Sequence, residues 1–263
     1  MTRIRLSLLS LERPNHRDVP RPRDRWAAIV AEVRDVKPDL LVCAMDFLGS
    51  QADITTLATQ LAQFPHRTTV LVDAVPRAGK RASIALERLR LMVIEPHQQP
   101  RELARQVIAE ASDKSVTTHT ALLRQLGTRN VRVKRKRVSC LSCGEINFLT
   151  LPRAGGQPYF DPRFPEVARH FAEADIILNP THDLMMSRPH ITTAKRRFLS
   201  RAIKGRSRCY VSVSNWDTTR RGQKRTVPDL HTVYVNRQRQ RLDRTAFDLY
   251  GRSMACSRIT ISL

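Results

Sequence analysis

An α/β layered fold is what this sequence predicts, and three observations predict it. Apolar strand-like runs alternate along the chain with amphipathic segments, the pattern of strands and helices packed in layers. Two of those runs, 39–44 (Asp-Leu-Leu-Val-Cys-Ala) and 174–180 (Ala-Asp-Ile-Ile-Leu-Asn-Pro), are almost unbroken in hydrophobicity, which marks strands covered on both faces. No Gly/Ser-rich linker interrupts the 263 residues, so a single domain over 1–263 is expected, long enough to bury a sizeable core.

The elements follow in order. Ile4, Leu6 and Leu8 alternate at period two, as in a strand, and a Pro/Arg-rich connection covers 14–22. Trp26, Ile29, Val30 and Val33 have helical spacing, and Pro38 ends that helix before the apolar run at 39–44. A helix is predicted over 54–63 and closed by Pro65, with strands at 68–74 and 89–94. Leu103, Val107, Ile108 and Ala111 predict a helix over 101–112, and 131–141 reads as one strand. A helix at 164–173, with Pro165 where a missing N–H costs little, leads to the strand at 174–180. A basic helix over 193–204, strands at 209–215 and 230–235, and a tail ending in 259–263 complete the chain.

Charge is the unusual quantity. Forty-six Lys and Arg against 24 Asp and Glu leave +22, and only eight of the cations are lysine. Such a field attracts polyanions, so nucleic acid is a partner to consider; compositional bias toward arginine is the alternative. The basic clusters lack the interleaved aromatics of a base-stacking platform. No apolar run approaches the roughly 20 residues that span a bilayer, so no membrane partner is expected. The charged N-terminus reads as no secretory signal, and five cysteines, an odd number, point to a reducing cytoplasm.

The stretch richest in chemistry is Val138-Ser139-Cys140-Leu141-Ser142-Cys143-Gly144-Glu145. A cysteine where a strand meets a sharp turn exposes its sulfur to backbone N–H groups and cations that stabilise a thiolate. Cys140 and Cys143 also have Cys-x-x-Cys spacing, but a structural zinc site needs two further ligands, and neither the isolated Cys209 and Cys256 nor the scattered histidines supply them. No structural zinc is therefore expected.

Three blocks carry a resemblance. Cys143-Gly144-Glu145, then Phe164-Pro165-Glu166-Val167-Ala168-Arg169, then Ala174-Asp175-Ile176-Ile177-Leu178-Asn179-Pro180 resemble the central block of the carbon–nitrogen hydrolases, the nitrilase superfamily. Lys37-Pro38-Asp39-Leu40-Leu41-Val42 resembles that family's second strand, and Tyr210-Val211-Ser212-Val213-Ser214-Asn215 its late strand ending in asparagine. The resemblance covers most of the chain. It implies a four-layer α-β-β-α sandwich, commonly a homodimer, and a Glu–Lys–Cys triad hydrolysing a small amide or nitrile through a cysteine thioester or thioimidate, with no metal and no organic cofactor required.

Carried onto this chain, the resemblance makes Cys143 the nucleophile. The base glutamate and its preceding proline are missing from 43–47, where Asp46 is the only carboxylate, one position late and one methylene short. Misplacement of about 1 Å costs on the order of 10²-fold in rate. Lys114, 29 residues before Cys143, is the candidate catalytic lysine. Glu145, His182, Asn215 and Trp216 are candidate substrate-contacting residues, and 150–163 reads as an insertion that lids or narrows the pocket. The competing expectation is a nitrilase-type fold without catalysis, a binding or regulatory protein, with nucleic acid among its partners.

Overall fold

The computed structural model describes residues 1–13, 21–45, 47–48, 50–74, 90–107, 114–152, 155–183, 189–217, 230–248 and 253–263. Its strands are β1 (Arg3–Arg13), β2 (Leu40–Cys43), β3 (Thr69–Ala74), β4 (Arg90–Ile94), β5 (Arg101–Arg105), β6 (Asn130–Val133), β7 (Lys136–Cys140), β8 (Ile176–Asp183), β9 (Cys209–Asp217), β10 (His231–Val235), β11 (Gln238–Arg239), β12 (Asp243–Asp248) and β13 (Ser253–Ser262). Its α-helices are α1 (Pro22–Ala31), α2 (Gln51–Ala62), α3 (Val116–Gln125), α4 (Pro165–Glu173) and α5 (Pro189–Leu199).

Two mixed sheets result. The first runs β5-β4-β3-β2-β1-β13-β12 and the second β6-β7-β8-β9-β10-β11. β1, β2 and β3 are parallel in the first sheet, as are β7, β8 and β9 in the second. The sheets meet where Glu12 and Arg13 of β1 pair with Trp216 and Asp217 of β9.

Strand alternation builds the layers. Ile4, Leu6, Leu8, Leu40 and Val42 face Val138, Cys140, Ile176, Leu178, Val211 and Val213 between the sheets. Their neighbours Leu9, Leu11, Leu41 and Cys43 face outward onto Ile29 and Val33 and onto Ile54, Leu57 and Leu61 of α2. Behind the second sheet, Ile177 and Tyr210 meet Leu122 of α3, Val167 and Phe171 of α4, and Leu199 of α5. Three cores between four layers make an α-β-β-α sandwich, and they explain the unbroken apolar runs: each such strand has no face left for water. Ser50 caps α2 by accepting from the Asp53 N–H (3.2 Å), and Pro165 opens α4 at a position that needs no donor.

Several elements differ from expectation: the basic helix spans Pro189–Leu199 rather than 193–204, and β12 lies where no element was expected. Residues 101–105 form the edge strand β5, antiparallel to β4, in place of a helix. Leu103 and Ala104 are buried there, and the helical spacing of Leu103 with Val107 coincides with a strand of five residues. Residues 131–141 hold a hairpin rather than one strand: Lys134 and Arg135 turn the chain with φ of 47° and 67°. α3, capped by Ser115 accepting from the Thr118 N–H, lies where no element was expected.

Candidate active site

In open parallel sheets, sites gather beyond the carboxyl ends of the strands, and here those ends are stitched together. Met45, just past β2, donates its N–H to the Thr181 carbonyl of β8 (3.2 Å) and accepts from the Asn215 amide of β9. Asn215 in turn accepts from the Leu11 N–H (2.9 Å), so one buried side chain ties β1, β2 and β9. The Ser142 hydroxyl, one residue before Cys143, lies 3.7 Å from the Met45 sulfur.

Cys143 stands on a sharp elbow. After β7, Leu141 still donates to Leu178 of β8 (2.8 Å), Ser142 is extended, and Cys143 turns to φ = 38° to open a 3-10 turn over Cys143–Phe148. A non-glycine residue in this left-handed region is uncommon and needs surroundings that enforce it. They are present. Asn179 of β8 donates to the Cys143 carbonyl (2.9 Å), the Tyr210 hydroxyl of β9 donates to Asn179 (2.9 Å), and the Glu145 N–H reaches the Ser142 carbonyl (2.9 Å).

Glu145 is fully enclosed, and its carboxylate is fully occupied. It accepts from the Ser142 N–H (2.7 Å), the Val107 N–H (2.9 Å) and both terminal nitrogens of Arg129. Arg129 is equally buried and also donates to the carbonyls of Arg105 (2.7 Å) and Cys140 (3.3 Å). A buried ion pair with this many partners compensates the desolvation of both charges. Its position behind the elbow makes Glu145 a support for Cys143's backbone.

Lys114 reaches the far end of the same turn, donating to the Thr150 hydroxyl (2.9 Å) and more weakly to the Leu149 carbonyl (3.5 Å). Partial burial holds its pKa below the ordinary lysine value. A second lysine, which sequence patterning did not single out, joins it. Lys195 of α5 is 5% exposed and donates to the Asn147 side chain (2.9 Å) inside the turn. Burial, with the neighbouring Lys114 charge second, lowers its pKa to about 8. The available signal was a lysine four residues before Leu199 on the buried stripe of a helix.

Asp46 lies outside the described residues, but its flanks are anchored. Besides the contacts of Met45, the Phe47 N–H donates to Asp73 (3.1 Å) and Arg25 donates to the Phe47 carbonyl (3.0 Å). The backbones of His182 and Trp216 lie at the ends of β8 and β9, with side chains outside the described residues. The insertion at 150–163 closes on itself through Thr150 and Tyr159, which exchange backbone hydrogen bonds (2.8 and 2.9 Å).

None of the five cysteines is in a disulfide, and Cys143 alone is not buried. Burial pushes the thiols of Cys43, Cys140 and Cys209 up, and that of Cys256 up to about 12. Cys140 points into the core between the sheets while Cys143 sits on the elbow, so their spacing does not make a chelate. Among the described residues no three His, Cys, Asp or Glu side chains converge as a metal site, and no helix is long and apolar enough to cross a membrane.

Sequence comparison finds no matching protein family and no matching curated protein. Comparison of folds does. The architecture is that of nitrilase-superfamily carbon–nitrogen hydrolases. A glutamine-dependent NAD(+) synthetase from Cytophaga hutchinsonii matches 99% of the chain at 11% identity and a TM-score of 0.53, and the chain spans 43% of that protein's length. A variant of the amidase from Nesterenkonia sp. AN1, carrying the acetamide moiety of fluoroacetamide on its active site cysteine, matches 97% of the chain and 90% of its own at 14% identity and a TM-score of 0.51. Saccharomyces cerevisiae Nit3, a branch 10 member of the nitrilase superfamily, matches 98% and 90% at 10% identity and a TM-score of 0.50.

Proposed function

We propose that the chain is a carbon–nitrogen hydrolase in which Cys143 attacks the carbon of a small amide or nitrile. The observation that carries this reading is the contrast among thiols: four are buried, and Cys143 alone is partly open, on an enforced positive-φ elbow at a strand end. In the proposed reaction the Cys143 sulfur adds to an amide carbonyl as its proton passes to a base. The tetrahedral adduct expels ammonia and leaves a thioester. Water then adds, releasing the carboxylic acid and restoring the thiol; a nitrile enters the same route through a thioimidate. Asp46 is the proposed base, its neighbour Met45 lying beside Ser142. Lys114, with Lys195 beside it, supplies positive charge toward the oxyanion that develops. The amidase from Nesterenkonia sp. AN1, whose active site cysteine takes up the acetamide moiety of fluoroacetamide, supports the choice of an amide and of the probe.

The test is mass spectrometry of the native protein after exposure to fluoroacetamide, together with ammonia release from short aliphatic amides. A single acetamide adduct on Cys143, absent in Cys143→Ser, is expected. Labelling of Cys256 at the same rate as Cys143 overturns the proposal. A second reading, a scaffold without turnover, is favoured by one observation: the carboxylate nearest Cys143 in sequence, Glu145, is occupied by Arg129 and two backbone N–H groups. It predicts an adduct with no ammonia release.

A further inference from the structure

A cavity of about 280 Å³ opens on the outer face of the second sheet's helical layer, between α5 and the turn that joins β10 to β11. Gly156, Gln157 and Pro158 form one wall, and Ala194, Arg197, Phe198 and Arg237 form the rest. Arg201 braces that lining from outside it: it donates to the Gln157 side chain (3.1 Å) and lies 4.1 Å from the centre of the Phe198 ring.

Among the described residues, Arg197, Arg201 and Arg237 make no ion pair. The guanidinium of Arg201, partly buried and facing Arg237, is driven below its ordinary pKa. Arg201 is nonetheless held in place by Phe198 and Gln157, and Arg237 by its N–H on the Ser200 hydroxyl (3.2 Å). Like charges fixed around a hollow raise the free energy of the empty site, and an anion entering it is attracted by all of them at once. A lone carboxylate is satisfied by one guanidinium fork. Two arginines lining one hollow, with the charge of Arg201 behind them, match a group with several charged oxygens.

We propose that this cavity binds a phosphate group, carried either by a small phosphoester or by a nucleic-acid backbone. It is separate from the Cys143 elbow: the insertion, α5 and the β10–β11 turn build it, and none of its lining residues belongs to the proposed hydrolytic machinery. The volume takes a phosphate with one small substituent, and the exposed Arg197 and Arg237 leave it open to a longer chain.

The experiment is calorimetric titration of the full-length protein with ribose 5-phosphate, with ribose as control, and then with a short single-stranded oligonucleotide as competitor. One saturable phosphoester site is expected. Arg237→Gln and Arg197→Gln, both at exposed positions, each weaken it about five- to tenfold, the scale of one charge-assisted hydrogen bond lost at a rim. Arg135→Gln, at the distant β6–β7 turn, leaves it unchanged, as does Cys143→Ser, which separates this proposal from the hydrolytic one. Competition by the oligonucleotide, lost in Arg237→Gln, assigns the site to backbone phosphates; absence of competition assigns it to free phosphoesters. No binding by either phosphate species, or equal weakening by Arg135→Gln and Arg237→Gln, overturns the proposal.

Discussion

Replacing Glu145 with glutamine tests whether the elbow is held from behind by a buried ion pair. The substitution is nearly isosteric and removes one charge. It leaves Arg129, fully enclosed, without its counterion, and turns an amide NH₂ toward one of two backbone donors, Ser142 at 2.7 Å or Val107 at 2.9 Å. Removing one partner from a buried pair costs about 3–5 kcal/mol. At about 2–4 °C per kcal/mol for a chain of this size, Tm falls by about 6–20 °C. Urea unfolding at neutral pH measures the loss directly. Adding Arg129→Met removes the stranded cation, so the double variant should be more stable than Glu145→Gln alone. A loss below about 1 kcal/mol in the single variant, a value typical of exposed pairs, refutes the claim that this pair supports the turn. So does a double variant whose loss is the sum of the two single losses.

Further outcomes follow from other residues. His170 is buried beside Arg137 and Arg129, which lowers its pKa to about 4 while Ser139 bonds its ring (2.7 Å). The folded state therefore takes up its proton later than the unfolded state, whose histidine titrates near 6.5. Stability is intact above about pH 6.5 and falls as pH drops toward 4, by about 2 kcal/mol once solvent screening is allowed for. Urea unfolding at pH 7 and 4.5 checks this: His170→Gln should lose less over that interval than the parent, and an equal loss contradicts it. Lys114→Met removes the like charge beside Lys195 and should raise the Lys195 pKa above about 8, measurable by NMR of methylated lysines; an unchanged value would separate the two ammoniums. Arg135→Gly relieves a left-handed residue at the tip of the β6–β7 hairpin and should stabilise by about 0.5–1 kcal/mol in urea unfolding. A destabilised variant would show that the Arg135 side chain matters more than its backbone.

What the sequence disclosed depended on burial on both faces. β2 and the opening of β8 are unbroken in hydrophobicity because each lies between two cores, and that signal survives without knowledge of partners. β5 carries no such signal: it is an edge strand whose Arg101 and Arg105 bond to Glu95 and Glu102, so its five residues fall into an accidental helical spacing. The β6–β7 turn was hidden for a different reason. Lys134 and Arg135 adopt positive φ without the Asn-Gly or Asp-Gly that announces such a hairpin. α3 begins Val-Thr-Thr, residues that read as strand, and buries only His119 and Leu122.

The site follows the same logic. The elbow at Cys143 was legible because its setting is local: strand end, following glycine, sharp turn. The setting of Glu145 is not local, since Arg129 reaches it from 16 residues upstream and Val107 from 38. Nothing in the linear order marks the carboxylate two residues after the cysteine as a buried counterion.

Lys195 carries the point further. As the first residue of the basic run Lys195-Arg196-Arg197 on an outer helix it would be read as solvated, yet it is enclosed and bonded to Asn147. Burial penalises both ammoniums at this end of the Cys143 turn, and at Lys195 the Lys114 charge adds to the penalty, so both pKa values are lowered. In the proposed hydrolysis, anionic charge appearing beside them would relieve that repulsion, so their electrostatic energy would improve as an oxyanion forms rather than when a neutral amide binds. A cation pair placed this way favours a charged transition state over its neutral ground state. Lys195→Met should then lower kcat more than it raises KM for a neutral amide. A change confined to KM would assign Lys195 to binding alone.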